Sequence, residues 1–255
     1  MNRIMRLGAL AGLAGGVTLA LFLRLVGESP IGDAVRLEAA RARAEGMVPN
    51  EMFSRATQQI GGMIGAAIYG VCVGLVFAVI FAVLRHRLGG RDDWRRAITM
   101  AAVGFLTVAL VPDLKYPANP PAVGNPDTIS QRTALYLVMV AWSIVATWAA
   151  WRFTRWLRER GAADHVRLPA VAALYALVVG AGLAFLPGSP DTVTAPATIV
   201  WRFRLASLGG SLCFWMVTGV TFGWLMLRAN GQPVFASLRR PKPAAPTAPT
   251  TPTDS

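Results

Sequence analysis

Residues 60–84 read IGGMIGAAIYGVCVGLVFAVIFAVL, an apolar run without a single charged side chain. A bilayer core roughly 30 Å thick is crossed by about 20 apolar residues in a helix, so this stretch is long enough to span it. Working outward, five more apolar runs follow the same rule at residues 4–26, 97–111, 134–151, 168–186 and 205–227. The run at 97–111 is the shortest, because Pro112 and Asp113 end it. It is therefore either tilted or begins within the polar segment before it, and a five-helix count stays open. The expected fold is an all-α polytopic membrane helix bundle over residues 1–230, with about six transmembrane helices arranged as three hairpins.

Composition agrees with that reading. Of 255 residues, 54% are hydrophobic and 15% charged, against about a quarter charged in soluble domains. The net charge of +12 would raise nucleic-acid binding in a soluble protein, but here the basic residues lie between apolar runs, so no nucleic-acid partner is expected. With the N-terminus in the cytoplasm, the inner segments hold 16 of the 25 basic residues, including five arginines in 85–96 and five in 152–167. This is the sense of the positive-inside rule, and it makes both termini cytoplasmic. Arg3 and Arg6 precede an apolar stretch longer than a signal-peptide core, without a convincing cleavage site, so it reads as an uncleaved first helix. Cys72 and Cys213 fall inside apolar runs without metal-ligand spacing and read as packing residues.

Between the spans, residues 27–55 form an outer loop in which 33–45, rich in Ala, Arg and Glu, predicts a short helix at the membrane surface. Residues 231–255 form a Pro, Ala and Thr tract with little to bury, expected to be a disordered cytoplasmic tail. Each hairpin has its outgoing helix ending at a proline-containing polar turn (27–30, 112–113, 187–190) and its returning helix opening with an arginine. These are Arg55, Arg132 and Arg204, spaced 77 and 72 residues apart. Such spacing suggests a repeated two-helix unit, although chance likeness between apolar segments explains it equally well. Glycines four apart (Gly8, Gly12, Gly16; Gly61, Gly65; Gly70, Gly74; Gly219, Gly223) predict close helix contacts.

The least ordinary segment is the outer loop at 112–133, in which prolines including Pro117, Pro120 and Pro121 forbid regular helix and stiffen the chain. Lys115, Tyr116, Asn119, Asn125, Asp127 and Arg132 supply its donors and acceptors, and Tyr136 follows. Non-helical backbone near lipid survives only where protein or water satisfies it, so the loop reads as the mouth of a pathway or an interface. Arg55, Arg202 and Arg204 join it at the same face. The acids Glu28, Asp113, Asp127 and Asp191 at the helix ends are expected to pair with these arginines. Asp113, Asp127 and Asn119 are at most weak candidates for a metal ion. His86 and His165 lie in separate Arg-rich loops and read as solvated side chains, and Met63, Met100, Met139, Met216 and Met226 as packing.

Lys115-Tyr-Pro-Ala-Asn-Pro-Pro-Ala-Val-Gly124, with Pro126-Asp-Thr-Ile129 and Gln131-Arg-Thr-Ala-Leu-Tyr136, resembles the predicted cobalt transporter subunit family CbtA. The resemblance extends to Gly27-Glu28-Ser-Pro30, Tyr69-Gly70 and Trp201-Arg-Phe-Arg-Leu-Ala-Ser-Leu-Gly209, and covers the chain to about Arg228. It implies a bacterial inner-membrane protein for cobalt uptake in cobalamin synthesis, with five spans. A small single-span partner, CbtB-like and histidine-rich, is also implied, with cobalt as the transported ion and no resident cofactor. No HExxH or P-loop motif is present and the chain has only two lysines, so no enzyme activity is expected. The rival readings are a non-transporting scaffold or assembly subunit that docks a partner on the proline-rich loop, and an anion carrier using the converging arginines.

Overall fold

In a computed structural model the chain is described over residues 1–46, 53–88, 92–121, 123–191, 193 and 195–231. Among the described residues six helices are long and apolar enough to cross a membrane: α1 (Asn2–Ala44), α2 (Arg55–Leu84), α3 (Asp93–Lys115), α4 (Pro126–Glu159), α5 (Asp164–Phe185) and α6 (Ala197–Ala229). The short third run becomes a span because its helix starts in the polar turn ahead of it. There the Asp92 carboxylate accepts the Arg95 N–H and so caps the new N-terminus. Asp93, almost fully buried, is neutralised by Arg96 at 3.0 Å, with Arg85 at 3.8 Å and the Asn230 amide at 3.1 Å.

Two of the expected proline turns do not end their helices. Residues 27–30 read as a turn in the sequence, yet α1 runs through them, from Asn2–Phe22 by way of a π-helical stretch Leu23–Gly27 into Glu28–Ala44. In α3 a second π-helical stretch, Phe105–Leu110, leads into Val111–Lys115 with Pro112 in its first turn. The reason is common to both. A proline lacks the N–H that the carbonyl four residues earlier requires and crowds that carbonyl, and the wider π turn relieves the clash without breaking the helix. The helix expected at 33–45 is therefore not a separate piece in a loop but the end of α1, packed along α6. Residues 47–52 of the 27–55 segment, and the tail beyond Gly231, lie outside the described residues.

Packing follows the glycines. On α1, a methyl group added at Gly12 would come within 2.7 Å of the Gly74 Cα, and one added at Gly70 within 2.7 Å of the Gly16 Cα, so α1 and α2 touch backbone to backbone. Gly219 of α6 lies against Ala101 of α3, and Gly223 against Ala97 and the Trp94 backbone. Gly61 and Gly65 behave otherwise, since a methyl group added at either would meet nothing within 4 Å among the described residues. Above the narrow α1 seam the larger side chains of α2 and α6 meet, Phe222 edge-on to Phe77 and Phe81 at 5.2 and 5.0 Å. These residues, with Ala97, Met100 and Ala101 of α3, form the main core. A smaller core of Val111, Tyr116, Met139, Ala146 and Val179 ties α4 and α5 to α3. The third hairpin is open: α5 packs mainly on α4, while α6 lies between α1 and α3.

Candidate functional site

Alternating helix direction brings the end of α3, the starts of α2, α4 and α6, the end of α5 and the extension of α1 to one end of the bundle. Proline chemistry dictates the first contacts there. Pro112 has no N–H to offer the carbonyl of Val108 four residues back, and the Tyr136 hydroxyl on α4 donates to that carbonyl at 2.8 Å. Pro187 likewise leaves the Leu183 carbonyl of α5 open, and the Lys115 ammonium donates to it at 2.6 Å. Next along the chain, the Tyr116 hydroxyl donates to the Pro187 carbonyl at 2.6 Å. Lys115, Tyr116 and Tyr136 thus clamp α3, α4 and α5 together. Tyr136→Phe removes only a hydroxyl, yet takes this donor from the part-buried Val108 carbonyl. It is expected to lower stability by about 1–3 kcal/mol, measured as a fall in the thermal unfolding midpoint in detergent.

The proline-rich loop is folded around Asp191, whose side chain is wholly buried. Its Oδ1 accepts the Asn125 N–H at 2.8 Å, and its Oδ2 accepts the Asn119 amide at 3.1 Å and the Arg132 guanidinium at 2.6 Å. Gly124 has φ +106°, a backbone that side-chain-bearing residues rarely adopt, and a methyl group there would lie 2.8 Å from the Asp191 carboxyl carbon. Beyond it, the Val123 N–H turns back to the Pro120 carbonyl at 3.2 Å. Pro120 is buried, Pro117 half-buried and Pro121 exposed. From α6, Arg204 donates to the Ala118 carbonyl at 3.3 Å and to Asn119 Oδ1 at 3.0 Å, so Asn119 bridges Arg204 and Asp191.

The other arginines hold the periphery. Arg55 pairs with Glu28 at 3.0 Å, and Gln59 donates to the same carboxylate oxygen at 2.8 Å, joining α2 to the α1 extension. Arg202 reaches Ser29 at 3.0 Å and Asp33 at 3.5 Å, joining α6 to that extension. Asp113 receives the Ala118 N–H at 3.3 Å and feels the charge of Arg204.

Beneath the loop is a crevice of about 240 Å³ between α3, α4 and α6. Asp113, Tyr116, Tyr136, Ser207 and Ser211 give it polar walls, Ala118 roofs it, and Ala109 and Leu208 complete it. Ser211 lies seven residues past Arg204, which touches the loop at Ala118, so the crevice reaches about 10 Å below the loop along α6 at 1.5 Å per residue. One turn further on the same face stands Trp215. It is almost buried, and its ring fills the space left beside Gly104 of α3. The crevice is thus polar, and the next turn of α6 below it is filled by an aromatic ring.

The residues singled out in the sequence do not form one cluster. Lys115, Tyr116, Asn119, Gly124, Arg132, Tyr136 and Arg204 come together around Asp191 and the crevice, while Arg55 and Arg202 sit apart on the α1 extension. Asp127 is exposed in the single turn Pro126–Thr128, its N–H held by Asn125 Oδ1 at 2.9 Å, and is not among the groups lining the crevice. His86 and His165 are exposed on different elements. Among the described residues no three of His, Cys, Asp and Glu gather as a metal site. The pattern reading did not single out Ser207 and Ser211, whose signal is their spacing of four on a helix that also carries Arg204.

Six apolar helices closed at one end by this polar, proline-stiffened cap define a polytopic α-helical membrane protein. The family model described as probable cobalt transporter subunit (CbtA) matches residues 1–227, and the chain belongs to that family. No curated protein and no solved structure matches it.

Proposed function

We propose that this chain is the membrane subunit of a cobalt uptake system serving cobalamin synthesis, with the Asp191-centred end as its outer entrance. The observation that carries the cobalt assignment is the family match over residues 1–227. The polar crevice beneath a proline-stiffened roof supports an entrance there, since irregular backbone at membrane depth belongs where it lines a cavity. The charge distribution supports both termini in the cytoplasm of a bacterial inner membrane, because the sequence segments assigned to that side carry 16 of the 25 basic residues. A small single-span, histidine-rich partner of the CbtB kind completes the system in this reading. Such a partner supplies the imidazole ligands that divalent cobalt favours, which the described residues of this chain do not cluster.

The test is radiolabelled cobalt uptake in cells lacking their own importers, expressing this chain alone, the partner alone, or both. Uptake is expected only with both chains, inhibited by excess unlabelled divalent metal and untouched by phosphate. Uptake inhibited by phosphate or carboxylate anions instead would favour the anion carrier, and no uptake in any combination would favour the scaffold.

A further inference from the structure

We infer that the crevice under Ala118 binds a divalent cation that keeps its water shell, held by the Asp113 carboxylate and the Ser207, Ser211 and Tyr136 hydroxyls. This rests on the transport reading and names the place and form in which the cargo is first held. Three observations carry it.

The first is the donor set. Direct coordination of a transition metal calls for several imidazole, thiolate or carboxylate ligands, and here one carboxylate faces hydroxyls. Hydroxyls and a carboxylate suit the hydrogens of coordinated water. Tyr136 lines the crevice, and its O–H is spent on the Val108 carbonyl, so what its phenol oxygen has left to offer is acceptor capacity. The serine hydroxyls rotate to accept as well.

The second is size. Six waters at about 30 Å³ each occupy about 180 Å³. A crevice of about 240 Å³ admits such an ion whole.

The third is charge. A carboxylate facing an apolar span marks a functional position unless fully paired, and Asp113 is only part-compensated. Arg204, which acts on it, gives its own hydrogen bonds to the Ala118 carbonyl and to Asn119. A cation therefore meets one negative charge moderated by a guanidinium anchored just above. Transport needs this balance, since a site must attract its ion and still release it.

The experiment is equilibrium dialysis of radiolabelled cobalt(II) against the full-length chain in lipid nanodiscs. Hexaamminecobalt(III), which cannot exchange its ligands and so mimics an intact hydrated ion, serves as competitor. One saturable cobalt(II) per chain, displaced by hexaamminecobalt(III), is expected. Asp113→Asn still accepts the Ala118 N–H, so the loop stays folded, and it is expected to weaken binding about tenfold or more. A Ser207→Ala, Ser211→Ala double variant should weaken it severalfold, and Arg204→Gln should tighten it. The inference is overturned if Asp113→Asn binds like the wild type, or if hexaamminecobalt(III) leaves cobalt(II) in place. Cellular uptake by a chain whose Asp113→Asn variant binds normally would sink this site and spare the transport reading; binding as expected without cellular uptake would do the reverse.

Discussion

Replacing Gly12 with leucine is expected to abolish the folded bundle, whereas the same change at Gly61 leaves it intact. Both positions carry the four-residue glycine spacing, so sequence pattern alone treats them alike. In the structure a Cβ at Gly12 meets the Gly74 Cα at 2.7 Å and N at 2.9 Å, atoms of a helix backbone that cannot turn aside. The two helices must separate, and the α1–α2 seam forced open is the most extensive helix pairing among the described residues. Overpacking a core usually costs about 1–3 kcal/mol, and a clash with backbone puts this case at the upper end or beyond. A Cβ added at Gly61 meets nothing within 4 Å among the described residues, so Gly61→Leu is expected to fall within about 0.5 kcal/mol of the parent. Thermal unfolding with size-exclusion profiles of the detergent-solubilised proteins reads both. Equal tolerance of the two changes would refute the close α1–α2 seam.

Asp191→Ala is expected to cause the next largest loss. The carboxylate it removes is completely buried and accepts three hydrogen bonds, from Asn119, Asn125 and Arg132. Breaking one partner out of a buried ion pair costs on the order of 3–5 kcal/mol, because the other charge stays in place without compensation. Arg132 keeps 28% of its side chain exposed, which moves the expected cost to the lower end of that range. The joint between the α5–α6 connection and the proline-rich loop opens as well. A thermal midpoint well below the parent's is the expected reading, partly restored in Asp191→Ala, Arg132→Ala because the stranded cation is then gone. A double variant no better than Asp191→Ala alone would show that the ion pair is not what holds the loop.

The spans are legible because the bilayer imposes one crude requirement, about 20 apolar residues, that composition alone reveals. The fate of the prolines is not. Proline normally ends a helix, and whether a π turn absorbs it depends on neighbours such as Tyr136, 28 residues from the carbonyl it satisfies. Pairing of acids with arginines is readable as a need, and Arg55 with Glu28 and Arg132 with Asp191 meet it as expected. Arg202 reaches Asp33, which the sequence pattern places in a separate surface helix, because α1 runs on past Pro30 and carries Asp33 up to α6. Asp191 is visible only as one acid among four; its place as the hub depends on loop closure across 59 residues, which no local pattern encodes. Ser207 and Ser211 look like small packing residues until α3 and α4 supply the opposite walls of the crevice.

The central claim is that cobalt enters through the Asp191-centred end. It is tested most directly by cobalt uptake in importer-deficient cells co-expressing the small partner, comparing the parent chain with Arg132→Ala and Arg155→Ala at matched membrane abundance. Arg155, at the opposite end of α4, lies far from the crevice. The account predicts uptake for the parent and for Arg155→Ala, with most of it lost in Arg132→Ala. Full uptake by Arg132→Ala would contradict it.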